Sequence, residues 1–169
     1  EKHFIIAADL TDVEALHQAV DQAVKFLVEV DVVLHVVGGG LGLRDPLLSS
    51  EEFFKLFNLN IGVAVEINKI VVPKMIQRKS GNLVHVCSIA SGEVTGSVGY
   101  NTVKAALAAY VRTLGRELAG SGIVATGILP GGFYAPGNSW RRLEESNPEV
   151  VKKFIQDNLP RNRIAETEE

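Results

Sequence analysis

The sequence predicts an α/β fold built on a doubly wound parallel sheet, and three observations carry that expectation. Short apolar runs rich in β-branched residues alternate with longer stretches of helical period. Each short run stops at polar, glycine or proline residues: Asp9, Gly38-Gly39-Gly40, Ser88 and Pro130-Gly131-Gly132. The 169 residues are 46% hydrophobic, with no repeat or low-complexity tract, which suits one domain with a sizeable core. Strands alternating with helices imply a parallel sheet covered on both faces, because each crossover must return to the same edge. Ligands of such sheets bind beyond the carboxyl ends of the strands, where these stop residues gather.

In chain order, Phe4 to Ala8 reads as a buried strand ending at Asp9-Leu10-Thr11. Thr11 or Asp12 caps a helix to about Val28, with apolar positions at Val13, Leu16, Ala19, Val20, Ala23, Val24 and Leu27. Asp31 opens a strand over Val32 to Val37. After a loop through Pro46, Ser49-Ser50-Glu51-Glu52 signals a capped start to a long helix reaching about Arg78. Asn58 and Asn60 fall inside it although Asn is a weak helix former, so each reads either as an exposed position or as a polar group turned toward a site. The run Leu83 to Ser88 is the next strand, Val98 to Leu118 the next helix, and Ile123 to Leu129 a fourth strand. From Phe133 the character changes to one or two short amphipathic helices, and residues 133–158 are expected to cap a substrate.

The stretch Leu83 to Lys104 carries the chemistry. Tyr100 and Lys104 are four apart, so on a helix they project from one face. An ammonium held beside a phenol favours the phenolate and fits it for proton transfer. The hydroxyl of Ser88 is placed to hydrogen-bond a substrate oxygen and stabilise charge developing there. Taken alone, the Tyr-x-x-x-Lys spacing fits an ordinary core tyrosine and solvated lysine better than a site, and the context must decide.

Composition narrows the partners. Seventeen basic against 20 acidic residues give a net charge of −3 with no basic block, which argues against nucleic acid. The longest apolar runs are broken by charge, Gly or Pro, so none is expected to span a bilayer, and no signal peptide is read. A single cysteine, Cys87, forms no internal disulfide, and a cytoplasmic setting is the expectation. His85 and Cys87 alternate along one strand and share a face, but two ligands without a third do not make a metal site, so no metal is expected. His3, His17 and His35 read as structural or solvated.

The order of Asp9-Leu10-Thr11, the strand ending at Gly38, Asn60, Ser88, Tyr100-Asn101-Thr102-Val103-Lys104 and Pro130-Gly131 resembles the short-chain dehydrogenase/reductase family, over essentially the whole chain. Within it the likeness is to 3-oxoacyl carrier-protein reductase-like members. The resemblance implies a Rossmann-like fold and hydride transfer between NAD or NADP and a small carbonyl or secondary alcohol. Tyr100 would be the general acid or base, Lys104 would lower its pKa and bind the nicotinamide ribose, Ser88 would orient the substrate oxygen, and Asn60 would hold a relay water. For the cofactor, the resemblance implies Asp9 and Leu10 at the adenine, Val37, Gly38 and Gly39 along its channel, and Pro130, Gly131 and Phe133 at the nicotinamide, together with Tyr100 and Lys104. It also implies a homodimer or homotetramer formed through the Asn60 and Tyr100 helices. A degenerate, non-catalytic member acting through subunit association is the alternative.

Several features depart from the family pattern. Its opening strand and Gly-x-x-x-Gly-x-Gly turn do not precede Glu1, nor does a closing strand follow, so the sheet is expected to be incomplete at both ends and the chain as it stands to bind a dinucleotide poorly. His35-Val36-Val37-Gly38 stands where the family has Asn-Asn-Ala-Gly, and Ala135 where a threonine is common. The Ser88-to-Tyr100 interval is one residue short of the usual spacing, which keeps Ser91 as a rival for the serine role.

Overall fold

A computed structural model describes residues 3–168, and the chain divides into two compact units, Glu1–Leu129 and Pro130–Glu169. In the first unit the elements run α1 (Val13–Leu27), β1 (Val32–His35), α2 (Ser50–Phe57), a π-turn (Asn58–Gly62), α3 (Val63–Arg78), β2 (Gly81–Val86), a 3-10 turn (Ile89–Ser91), α4 (Val98–Leu118), a second 3-10 turn (Ala119–Ser121) and β3 (Ile123–Ile128). The three strands form one parallel sheet in the order β1-β2-β3, with His35 beside His85 and His85 beside Gly127. This is the α/β parallel architecture the alternation predicts.

The helix starts follow from their caps. Asp12 accepts the amides of Glu14 and Ala15 to open α1. Ser49 and Glu52 form a reciprocal capping box at α2. Ser97 accepts the amide of Tyr100 and starts α4 at Val98. The period-2 pattern of β2 sends Leu83 and His85 to the same face, where both are wholly buried. There α3 supplies Val71, Val72 and Met75, which pack with Leu83 and Ile123, while Val20 and Val24 of α1 and Leu114 of α4 close the cluster. The opposite face carries Val32, Leu34, Val124 and Ile128, all more than half exposed. Helices of the first unit therefore cover one face of the sheet, where the sequence reading expects both to be covered.

Three further expectations need correction. Phe4 to Ala8 forms no strand, and Phe4 instead stacks on Phe26 at 4.7 Å. A strand needs a ladder partner, and composition alone cannot supply one. The β1 ladder ends at His35 rather than Val37, because the chain turns into the glycine stretch. Finally, the helical run Ser50–Arg78, 29 residues, is apolar enough by length and composition to cross a membrane, contrary to the reading that no run is. Its buried residues Ile61, Val71, Val72 and Met75 pack in the cores of this unit.

The second unit holds β4 (Phe133–Tyr134), α5 (Ser139–Ser146), α6 (Pro148–Asn158) and β5 (Ala165–Glu166). The sequence reading expects one or two helices here and neither strand; there are two helices. β4 and β5 pair in parallel, over a core of Tyr134, Val151 and Ile164. Trp140 packs on Phe154 at 4.5 Å between ring centroids. Tyr134 donates to Glu144 at 2.7 Å beneath the Arg141 guanidinium, and burial together with that carboxylate pushes its phenol up to about 12.

Candidate active site

The site is assembled where β1 and β2 end against α3 and α4. β1 runs out into Val36 to Gly40, and Gly39 adopts φ +143°, a conformation open to glycine. Asn60 grips this turn from the helix. Its Oδ1 accepts the Gly39 amide at 3.0 Å, and its Nδ2 donates to the carbonyls of Gly39 and Leu56, each at 2.9 Å. The grip requires the Asn side chain to face inward, and the π-turn over Asn58–Gly62 holds it there, 2% exposed.

Lys104 reaches the same point from α4. It is 4% exposed, its Nζ donates to the carbonyl of Val86 at 3.1 Å, and it lies 5.7 Å from the centroid of the Tyr100 ring. Burial lowers its pKa, since the charged form loses hydration. Gly38 sits between the two polar heads: a Cβ there would stand 2.8 Å from Asn60 Oδ1 and 3.2 Å from Lys104 Nζ. Any side chain at 38 would therefore push the groups apart.

Tyr100 is flanked by two glycines. A Cβ on Gly96 would meet its ring at 2.8 Å, and one on Gly40 would lie 3.8 Å away. Asn101, beside it, binds the preceding loop by accepting the Gly96 amide at 2.8 Å and donating to the carbonyl of Glu93 at 2.6 Å. Ser88 follows β2 and caps the 3-10 turn, its Oγ accepting the amide of Ala90 at 3.1 Å, so its hydroxyl proton remains free to donate. Ser91 spends its proton on the Ser88 carbonyl at 2.7 Å. That difference favours Ser88 over its rival.

Asp9 is exposed, with its carboxylate turned back onto Thr11, whose hydroxyl and amide hold its pKa below the usual carboxylate range. Leu10 and Val37 line one cavity of about 140 Å³ together with Asn60. The structure thus brings together Leu10, Val37, Gly38, Gly39, Asn60, Tyr100 and Lys104 in the first unit. Pro130, Gly131 and Phe133 belong to the second unit.

Sequence reasoning missed a second polar cluster. His35 and His85, adjacent in register, stack at 4.3 Å between centroids. His35 Nε2 contacts Asn68 Oδ1 at 3.0 Å, Asn68 Nδ2 donates to the Tyr110 hydroxyl at 3.0 Å, and Tyr110 meets the His85 ring edge-on at 6.0 Å. Burial pushes His85 down to about 4, with the neighbouring His35 adding to the effect, and burial lowers His35 as well. The only signal in the sequence was a histidine in each of two apolar runs. Among the described residues no group of three or more His, Cys, Asp or Glu is placed to hold a metal ion.

A family model described as short chain dehydrogenase matches residues 1–146. The chain belongs to the short chain dehydrogenase family. Among curated relatives it is 25% identical over 168 residues to 2-dehydro-3-deoxy-L-rhamnonate dehydrogenase (NAD(+)) of Sphingomonas sp. (strain SKA58), covering 98% of this chain and 65% of that protein. It is 26% identical over 166 residues to the 3-oxoacyl-[acyl-carrier-protein] reductase FabG of Thermotoga maritima, covering 95% of this chain and 63% of that protein. A solved 7α-hydroxysteroid dehydrogenase, complexed with NADH and 7-oxo glycochenodeoxycholic acid, superposes with a TM-score of 0.83 at 22% identity, covering 96% of this chain and 62% of that one. The chain thus spans somewhat less than two thirds of the length of these relatives. The structural likeness establishes the Rossmann-type fold.

Proposed function

We propose that this chain carries the proton-transfer site of an NAD(P)-dependent oxidoreductase acting on a small carbonyl or secondary alcohol. The observation that supports it most is the meeting of Asn60 Oδ1 and Lys104 Nζ at Gly38, with the Tyr100 ring 5.7 Å from the ammonium. The relatives named for oxidation and reduction of hydroxyl and keto groups support the same reading.

The residues fit a dinucleotide on structural grounds. Gly38, Gly39 and Gly40 present bare backbone, and Leu10 and Val37 offer an apolar wall beside them. Leu10, Val37, Gly38, Gly39, Tyr100 and Lys104 would hold it in the first unit, with Asp9 at its adenine end. A bound reduced nicotinamide supplies a hydride to the carbonyl carbon. Tyr100 gives its hydroxyl proton to the carbonyl oxygen as the C=O double bond becomes a C–O–H single bond. Ser88 donates to the same oxygen and holds it in place. Lys104, already short of hydration, faces the resulting phenolate, and Asn60 ties the relay to the backbone of Gly39. Oxidation of an alcohol reverses each transfer. We extend the proposal to a homodimer or homotetramer and a cytoplasmic setting.

Tyr100→Phe tests it. Turnover of a carbonyl substrate with NADH or NADPH is expected to drop about 1,000-fold, within the range attributed to general acid catalysis, while the far-UV circular dichroism stays unchanged. Equal turnover in the variant would remove Tyr100 from the chemistry and leave the non-catalytic alternative.

A further inference from the structure

Ser88 and Tyr100 are offered to one substrate oxygen, yet they sit on different segments, and an exposed loop from Gly92 to Gly96 separates them. A surface loop with glycine at each end has little intrinsic stiffness. Backbone bonds hold its first residues: the amides of Gly92 and Glu93 both reach the Ile89 carbonyl at 3.0 Å, which ties Glu93 to the 3-10 turn that Ser88 caps. A side chain holds the far end. Asn101 of α4 donates through Nδ2 to the Glu93 carbonyl at 2.6 Å and accepts the Gly96 amide on Oδ1 at 2.8 Å. The Thr95 amide shares that Glu93 carbonyl at 3.0 Å. One carboxamide therefore closes the loop as an additional peptide group would, with its donor and its acceptor both engaged.

The closed loop leaves no slack beside the phenol. A Cβ on Gly96 would lie 2.8 Å from the Tyr100 ring and 2.8 Å from Asn101 Oδ1, so loop backbone, ring and carboxamide fill one space. We propose that Asn101 is a positioning residue: by joining Glu93, on the Ser88 side, to α4, on the Tyr100 side, it sets the separation of the two hydroxyls that meet one carbonyl oxygen. This role rests on the oxidoreductase reading above, and Asn101 acts through its neighbours rather than on the substrate. A misplacement of about 1 Å in a reacting arrangement costs about 100-fold in rate. Releasing the loop therefore weakens the chemistry without loosening the dinucleotide.

Asn101→Asp tests it, because a carboxylate of the same shape accepts but cannot donate to the Glu93 carbonyl. With NADH or NADPH, kcat is expected to fall by about 10- to 100-fold at unchanged KM for the dinucleotide; Asn101→Ala takes its place if the first variant does not fold. Backbone amide exchange gives a reading independent of turnover. Although its loop is exposed, Gly96 should exchange roughly fivefold or more slowly in wild type than in Asn101→Ala. Full turnover in Asn101→Asp beside an inactive Tyr100→Phe overturns the positioning role and leaves the oxidoreductase reading intact. No turnover in the wild type defeats that reading and the role with it. Equal exchange of Gly96 in wild type and Asn101→Ala overturns the role whatever the turnover.

Discussion

Two buried polar clusters flank the central strand, and they are made from different materials. At its carboxyl end Asn60 and Lys104 are satisfied by backbone: the amide and carbonyl of Gly39, the carbonyl of Leu56 and the carbonyl of Val86. Beneath it, His35, Asn68 and Tyr110 satisfy one another through side chains, and His85 only stacks. Backbone partners hold a geometry whatever the neighbouring side chains are, which suits a site whose polar heads must stay in place. Side-chain partners make each member depend on the others, so the lower cluster should be more sensitive to ionisation and the upper one to the loss of a single head.

Lys104→Met gives the sharpest separation between them. Turnover should drop by about 10² to 10⁴-fold, whereas the melting temperature should hold or rise, because a buried ammonium is replaced by an apolar chain of similar length. A melting temperature that collapses with turnover would mean the lysine is structural. Acid tests the lower cluster. His85 ionises near 4 in the folded chain against about 6.5 when unfolded, so the unfolded state takes the proton first. Stability is then complete above about pH 6.5 and is lost as pH falls toward 4, by on the order of 3 kcal/mol from this residue. Urea unfolding of wild type and His85→Gln over that window should show the dependence weaken in the variant; parallel curves would contradict it.

Asn60→Ala removes three hydrogen bonds to backbone and should cost roughly 2 kcal/mol in urea unfolding. A cost near zero would mean the Gly39 turn holds itself. Tyr110→Phe is the mildest change. It leaves Nδ2 of the buried Asn68 one partner short beside a half-buried ring, so thermal unfolding should register about 1 kcal/mol, and a larger loss would show the lower cluster to be more tightly coupled than its geometry indicates.

The upper cluster was legible in the sequence because its members obey local rules. Ser97 caps α4 where the periodicity begins, and the helix then carries Tyr100 and Lys104 one turn apart. Asn60 was visible as a misfit, a weak helix former in a strong helix, although nothing local announces a π-turn. The lower cluster was not legible, since it exists only once β1 and β2 pair in register and place one histidine on the other. The sequence sets His85 beside Cys87 along the strand, whereas its ring contact lies across the ladder, on His35. Phe4 to Ala8 failed for the related reason that strand composition promises pairing without naming a partner. The two-residue strands β4 and β5 are too short to leave any alternating pattern.

The five-residue π-turn means that the aim of Asn60 is set by counting. Each residue added to or taken from a helix rotates everything on one side of it by about 100° relative to the other, so shortening Asn58–Gly62 by one would swing the amide away from Gly39 or shift the register of α3 on the sheet. Length, then, rather than residue identity, is the variable this stretch can least tolerate changing. Single-residue deletions scanned from Leu56 to Val65 should produce a sharper drop in folding yield than alanines at the exposed positions of the same stretch.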